Sequence, residues 1–422
     1  MIRLRTLLPA GLLASVAFLT GSVEAQTFDA RGFYERWKKE SAIERKLIVA
    51  EVRGELGLVK RPLPPDWTPR KWGKGELEVK DGVPVLRVEG TPAEMGEQQG
   101  HLVGREARAL SDSYLPAFLG GRNELERGRV RARELFWPHL SDDEKAEIGA
   151  FAKASGIDER DVLLAQGFAD LYRAWGCSTL AAVGDAAPYP GQPLLARNLD
   201  FVTMGFLQDY SYVVVARPAN KTPFVSLGFP GVLGVISGEN ARGVALAVMV
   251  VHDEHGCVAG VPFTFAFRRA LETADTTEDA IATLERLPRT VANNLMVVDR
   301  HETARLLEIT PAGIVARSPD ARGLLSSTNH FQSKELREPR MTLTYLSSKQ
   351  RLGAVEKTCR DESRITVPVA IAALRAAAPA RINVQGMIFE PATRSIHVAF
   401  GKPPAVTRPF VKLDGAWLFR AP

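Results

Sequence analysis

From residue 76 to 90 apolar and polar positions alternate: Leu77 and Val79, then Val83, Val85, Leu86 and Val88, with Asp81-Gly82 between the two sets. A period of two broken by Asp-Gly predicts two short strands joined by a tight turn. Thr91-Pro92 then suits the cap and first position of a helix whose apolar side carries Met95, Leu102 and Val103. Helical spacing continues to about residue 155, with a fresh start at Ser141-Asp-Asp-Glu144. Upstream, Phe33, Trp37, Ile43, Leu47 and Val49 recur among charges, so 26–60 reads as helical. Pro62, Pro64, Pro65 and Pro69 make 61–75 an extended connector.

The texture changes near residue 175. Apolar runs bounded by Gly, Pro and Asn fill 178–251: Leu194-Leu-Ala196, Tyr212–Ala216, Phe224–Leu227 and Val244–Val251. Two helical stretches, 263–274 and 277–287, precede strands at 295–299 and 306–309. A last strand pair, 384–389 and 395–400, flanks a turn at 391–394. No segment of 20–50 residues repeats. Strands in runs, then paired helices, then strands again predict an α+β fold rather than alternating βαβ units.

The N-terminus follows a different rule. Arg3 and Arg5 precede an apolar run from Leu7 to about Leu19, and Val23 and Ala25 occupy the small-residue positions of a cleavage site. This is the layout of a secretory signal peptide, too short for the ~20 residues that span a bilayer. The expectation is a secreted or periplasmic protein, cut after about Ala25, with no stable membrane insertion. The 422 residues, 45% hydrophobic and 24% charged, exclude a disordered or collagen-like chain. The net charge of +5 forms no basic stripe; Arg122–Arg133 mixes both signs, so nucleic acid is not an expected partner.

Export gives the three cysteines, Cys177, Cys257 and Cys359, a meaning. A secreted monomer must leave one of them unpaired, and a leftover thiol there is a candidate reactive group. A Cys257–Cys359 disulfide would leave Cys177 free. His252-x-x-His255-x-Cys257 has the spacing of a metal site but no evident fourth ligand, so neither metal nor cofactor is expected. No G-x-S-x-G supports a serine triad.

Cys177 follows Gly176 where helices give way to strands, and Ala196-Arg-Asn-Leu-Asp-Phe201 comes about 20 residues later. Three polar side chains, Arg197, Asn198 and Asp200, thus close an apolar strand. Alternation puts Asn198 and Asp200 on one face and Arg197 on the other, so a bulge or strand end is needed for Arg197 and Asp200 to share a site. A thiol is a good nucleophile near neutral pH when a base takes its proton. Were the bond before Cys177 cut, its α-amine, with a pKa of about 7.7–8.0, would be such a base. Glycine at 176 leaves the preceding carbonyl unshielded.

Gly176-Cys-Ser-Thr179 with Ala196-Arg-Asn-Leu-Asp-Phe201 resembles the cysteine-type N-terminal-nucleophile hydrolases, and within them the autoproteolytic acyltransferases and hydrolases related to penicillin biosynthesis, bile-salt hydrolysis and acid ceramidase. Val88–Gly100, Gly238-Glu-Asn-Ala-Arg-Gly-Val244, Ser327-Thr-Asn-His-Phe331 and Ser347-Ser-Lys-Gln-Arg-Leu352 are similar to further family segments in the same order, over about 77–412. The resemblance implies a four-layer αββα sandwich with a helical N-terminal segment. It implies autoproteolysis between Gly176 and Cys177, with segments 26–176 and 177–422 staying associated as one fold. It assigns Arg197 to the sulfur, Asp200 to the new α-amine, Asn240 and Asn329 to the oxyanion, and Arg351 to bracing the site. Asn293 and Asn294 are substitutes for the oxyanion role. Asn240 departs from the family pattern, standing in S-G-E-N-A-R-G where N-E-x-G is usual. The implied reaction cleaves a linear amide of a small N-acyl compound through a thioester on Cys177. Transfer of the acyl group to a small amine is the alternative, and a non-catalytic binding protein a third reading. Phe201, Met204, Phe206, Phe229 and Phe263 are candidate linings for an apolar acyl group, or core.

Overall fold

The computed structural model describes residues 50–51, 53–54, 56–172, 176–251, 256–336 and 348–420. The leader, nearly all of the helical stretch 26–60 up to residue 49, and the two histidines of the 252–257 segment lie outside these residues. Sixteen strands are present: β1 Arg70–Trp72, β2 Gly75–Lys80, β3 Val83–Gly90, β4 Gly176–Ala182, β5 Leu194–Asp200, β6 Tyr212–Pro218, β7 Phe224–Gly228, β8 Ser237–Asn240, β9 Val244–Val250, β10 Asn293–Asp299, β11 Ala304–Ile309, β12 Ile314–Arg317, β13 Leu324–Ser327, β14 Asn383–Glu390, β15 Ser395–Phe400 and β16 Val411–Leu413. They form a ten-stranded sheet in the order β1-β2-β3-β6-β7-β8-β9-β10-β11-β12 and a six-stranded sheet in the order β13-β4-β5-β14-β15-β16. Neighbours are antiparallel throughout except β3 with β6, which run parallel. That parallel pair joins the helix-rich first part of the chain to the strand-rich second. The fold is therefore α+β, as the alternation of textures predicts.

Strands β4, β5, β9 and β10 are buried at every residue, and β9 is a continuous apolar run. Strands covered on both faces have that pattern. β4 and β5 lie against β9 and β10 of the larger sheet. On its other side the smaller sheet packs its apolar residues Leu180, Leu194 and Ile388 against Val355 and Leu374 of two helices, residues 348–359 and 367–377.

Helices α1 (Pro92–Ala109), α2 (Arg122–Leu135), α3 (Asp142–Ser155), α4 (Glu159–Gln166) and α5 (Phe168–Tyr172) precede β4 in the chain; α6 (Phe263–Thr273) and α7 (Thr277–Glu285) lie between β9 and β10, and α8 (Ser348–Cys359) and α9 (Val367–Ala377) between β13 and β14. The starts foreseen at Thr91 and Ser141 both carry complete capping boxes, with Glu94 and Glu144 reaching back. α1 covers β1–β3 and packs closely on α3. Gly96 and Gly100 make that approach: a Cβ on Gly96 would lie 2.3 Å from the Glu147 carbonyl oxygen, and one on Gly100 2.6 Å from the Ala154 Cβ.

The proline-rich connector 61–75 has no regular structure up to residue 69, and its end pairs as β1 with β2. Cys257 and Cys359 are not joined in a disulfide. Cys359 ends α8 inside the apolar cluster under the smaller sheet, whereas Cys257 is only half-buried in a loop.

Candidate active site

Cys177 is the second residue of β4, with Gly176 the first, and both are buried. The register places Cys177 opposite Leu199, Thr179 opposite Arg197, and Gly176 opposite Asp200. Cys177 and Arg197 emerge on the face turned to the larger sheet. Arg197 Nη2 lies 3.2 Å from Cys177 Sγ and donates to the Val248 carbonyl at 2.8 Å, while Nη1 donates to Ser237 Oγ. Among the described residues no carboxylate is within ion-pair distance of this wholly buried guanidinium, and its Nε has no hydrogen-bond partner.

Asp200 is the last residue of β5, beside an irregularity in the partner strand β14. Asp200 pairs with Asn383 of β14, Leu199 with Gln385, so Val384 is an extra residue in β14. Asn198, two residues earlier, donates to the Leu374 carbonyl of α9 at 2.8 Å. Asp200 Oδ1 accepts from Asn383 Nδ2 at 2.9 Å; Oδ2 is 3.9 Å from Arg351 Nη1 and is buried without a hydrogen-bond partner.

Asn329 follows β13. Its Oδ1 accepts from the Cys177 backbone N–H at 2.8 Å and from Arg351 Nη2 at 2.7 Å, and its Nδ2 donates to the Val250 carbonyl at 2.8 Å. Two donors on one side require the oxygen there. Asn329 therefore presents an acceptor to Cys177, not the oxyanion donor that the resemblance implied. Arg351, in the first turn of α8, donates to the Cys177 carbonyl and to Ser178 Oγ, the latter at 3.0 Å. Its contacts are direct, closer in than a brace. Thr328 and Ser348 tie the two together: Thr328 Oγ1 donates to the Ser348 carbonyl at 3.0 Å.

Asn240 is elsewhere engaged. Its Nδ2 donates to the Leu271 and Ala274 carbonyls at 2.9 and 2.8 Å, and its Oδ1 accepts from the Arg242 and Val244 amides at 3.1 and 2.9 Å. Both its hydrogens are spent on holding the β8–β9 turn against the end of α6, which leaves none for an oxyanion. Asn294 Nδ2 donates to the Thr328 and His330 carbonyls at 2.9 and 2.8 Å, so it fixes the loop that carries Asn329. Asn293 begins β10 beside it and is buried.

Ser237, Asn383 and Ser178 touch the site and were not foreseen. Ser237 directly precedes the Gly238-Glu-Asn motif, and Ser178 sits inside Gly-Cys-Ser-Thr; both were visible as motif neighbours. Asn383 had no local signal, since only strand pairing brings it to Asp200.

Burial pushes the Cys177 thiol above its ordinary value, against the pull of the Arg197 charge and hydrogen bond. Burial also raises Asp200, to about 6, opposed by Arg351, Asn383 and Arg197. The group thus holds two guanidiniums and one carboxylate, a net positive charge that one thiolate would neutralise.

Glu239 lies two residues beyond Ser237, fully buried, with neither carboxylate oxygen hydrogen-bonded. Burial holds its pKa well above the usual range, with Arg394 opposing and Glu390 adding to it. Below the unfolded value both states keep the proton; above it only the folded state does, so stability falls as pH rises toward the folded pKa. Glu239→Gln should therefore melt higher than the parent, by roughly 2–4 °C at pH 8. The gain should shrink toward zero near pH 4.5 in thermal melts across that range.

An apolar cavity adjoins this end of the sheets. Phe201, next to Asp200, and Ile236, next to Ser237, form one wall with Phe229; Tyr114, Phe168 and Leu115 form the other. Of the candidate linings, Phe201 and Phe229 face this cavity. Met204 and Phe206 are buried outside its lining, and Phe263 lines a smaller cavity with Asn293. No group of three or more His, Cys, Asp or Glu side chains suited to a metal ion occurs among the described residues, which do not include His252 and His255. No helix among them is long and apolar enough to cross a membrane.

Residues 189–365 match the sequence family described as acyl-coenzyme A:6-aminopenicillanic acid acyl-transferase, a stretch that takes in Arg197, Asp200, Asn329 and Arg351 and begins after Cys177. The match links this part of the chain to acyl-transferring enzymes at family level. An uncharacterised protein of Archaeoglobus fulgidus is 24% identical over 279 residues, 58% of this chain and 46% of that protein, so the chain spans about half the length of the curated relative it matches. Among solved structures, a Caenorhabditis elegans N-acylethanolamine-hydrolyzing acid amidase ortholog is 14% identical, with TM-score 0.41, over 51% of this chain and 93% of that one. Penicillin V acylase from Agrobacterium tumefaciens is 12% identical, with TM-score 0.41, over 58% and 88%. A conjugated bile acid hydrolase from Clostridium perfringens is 11% identical, with TM-score 0.37, over 56% and 92%.

Proposed function

We propose that this protein is an exported, autoproteolytic amidase of the N-terminal-nucleophile type with the four-layer αββα arrangement. The observation that carries the reading is the convergence on Cys177: a guanidinium at its sulfur, an asparagine oxygen at its backbone nitrogen and a second guanidinium at its carbonyl. A structural cysteine in an apolar strand needs none of these. In the first step Sγ attacks the Gly176 carbonyl carbon. The C–N bond breaks, a thioester forms, and the Cys177 nitrogen takes a proton to become a free α-amine. Water hydrolyses the thioester and leaves a Gly176 carboxylate. Asp200 Oδ2, buried and unpartnered opposite Gly176, is the acceptor that suits the new amine.

In turnover the α-amine takes the thiol proton, the thiolate attacks the acyl carbonyl, and the amine product leaves with that proton. Water, deprotonated by the same α-amine, then releases the acid. The segments before and after Cys177 would stay together: β3 pairs with β6, Tyr114 donates to the Val202 carbonyl at 2.5 Å, and Arg268 meets Glu147 at 2.7 Å with both side chains buried. The family match over 189–365 favours a second reading, transfer of the acyl group to a small amine. Water is the preferred acceptor because an exported enzyme meets little activated acyl donor.

The test is direct. Purified protein, denatured and sequenced from its N-termini, should yield a chain that begins at Cys177. It should release amine from at least one of a panel of N-acyl amino acids, penicillin V, conjugated bile salts and ceramides. Added small amines that divert the acyl group from acid to new amide would select the transferase reading. A single intact chain with full amidase activity would refute the mechanism.

A further inference from the structure

The cavity lined by Phe201 and Ile236, chain neighbours of Asp200 and Ser237, is apolar except at Ser111 and Asp161 and at Thr264, whose hydroxyl is spent on the Gln166 carbonyl at 2.8 Å. Ser111 and Asp161 lie in its helical wall, both more than nine-tenths buried. Asp161 is gripped by Arg129, whose Nε and Nη2 donate to Oδ1 and Oδ2 at 2.7 and 2.6 Å. A bidentate pair of this kind cancels its own charge. Ser111 Oγ donates to Asp161 Oδ2 at 3.3 Å, long for a hydroxyl bond, and keeps its lone pairs.

Ser111 faces the cavity because of local backbone geometry. α1 does not continue as an α-helix: Leu110–Tyr114 forms a π-helical turn, and Leu110, Ser111, Tyr114 and Leu115 all reach the lining. Such turns insert a residue and re-aim side chains, and they occur often at functional sites. Phe201, also in the lining, follows Asp200 in the chain and stacks on Phe118 at 5.7 Å. Arg129 also pairs with the exposed Glu126, so the polar spot lies toward the outside of the helical layer.

We propose that this cavity holds the acyl group of the substrate, and that Ser111 with Asp161 selects acyl groups carrying a neutral hydroxyl remote from the amide. This rests on the amidase reading and names its substrate class. If Ser111 gives up its long bond to Asp161, its hydroxyl can donate to a ligand hydroxyl that itself donates to Asp161. A hydrocarbon end satisfies neither. A carboxylate end meets Asp161, whose neutralising partner is already fully used.

The experiment titrates free acids into the Cys177→Ala protein, which is the uncleaved chain, by calorimetry. The series are straight-chain acids from hexanoic to dodecanoic, their ω-hydroxy counterparts and the matching diacids, with phenylacetic and 4-hydroxyphenylacetic acid. At the best-fitting length the hydroxy acid should bind about tenfold more tightly than the plain acid, the worth of one buried hydrogen bond. Adding Ser111→Ala should erase that difference and leave the plain acid unchanged. Equal binding of hydroxy and plain acids at every length, preference for the diacid, or no binding at all would overturn the proposal. Amide hydrolysis by the unmodified enzyme is measured separately. Binding without hydrolysis sinks the amidase reading alone; hydrolysis without the hydroxyl preference sinks this inference alone.

Discussion

Replacing Cys177 by alanine should leave one uncut chain and no detectable amide hydrolysis. Nothing else in the site is a competent nucleophile. Ser178, its neighbour, faces the other way and accepts from Arg351. The loss should be at least ~10³-fold, because a covalent route has no partial substitute once its nucleophile is gone. The fold should survive. The sulfur has one hydrogen-bond partner, Arg197, which keeps its bonds to Ser237 and Val248. A melting temperature within a few degrees of the parent would establish that, and N-terminal sequencing of the denatured protein would show whether the cut persists. Cys177→Ser should cut slowly or not at all, since a hydroxyl is far harder to ionise beside the same guanidinium. A Cys177→Ala protein that still yields a chain starting at residue 177 would place the cleavage chemistry elsewhere.

Much of the strand and helix pattern is written locally. Asp81-Gly82 between alternating runs became the β2–β3 hairpin, and the turn at 391–394 joins β14 to β15. Thr91 and Ser141 stop the preceding chain and start helices because their hydroxyls satisfy amides that nothing else can reach. What escaped were elements whose identity depends on distant partners. β1 ends a proline-rich connector and is a strand only because β2 pairs with it. β12 and β13 are four residues each, too short for a period to register. Val367–Ala377 is continuously apolar and Ala-rich, a composition that a buried strand or helix shares; packing under the smaller sheet decides it.

The site shows the same division. Five of the six residues that the motifs point to, all but Asn240, are within contact of one another. No periodicity would have grouped them, since Asp200 is held by Asn383, 183 positions away. Asn240 failed for a physical reason. An asparagine before a turn is already wanted by the backbone, and here four main-chain groups take it. The asparagine oxygen on Cys177 N–H is equally instructive. Motif matching can bring Asn329 to the right place, but only hydrogen-bond counting shows which end of its amide faces the nucleophile.

Arg197→Met should cost about 10²–10⁴ in both the rate of self-cleavage and any amide turnover. Arg197 is the largest attractive charge acting on the Cys177 thiol, and burial already drives that thiol upward. Without it the site holds Arg351 and Asp200, which cancel, and a thiolate would have no counter-charge. The thiol pKa must then rise further, so the rate should climb with pH to higher values than in the parent. Methionine also leaves Ser237 Oγ and the Val248 carbonyl without their donor, which can lower stability. Arg197→Lys separates the two effects: it restores charge without the fork that serves sulfur, hydroxyl and carbonyl together. It should recover part of the lost rate and move the alkaline rise back toward the parent. The acid side of the profile is set by a different group. Burial raises Asp200 to about 6 and the proposed mechanism needs it ionised to hold the amine, so activity should fall below that pH in the parent and in Arg197→Lys alike. An Arg197→Met protein with an unshifted profile and full rate would mean that the guanidinium holds the two sheets together and leaves the sulfur's chemistry untouched.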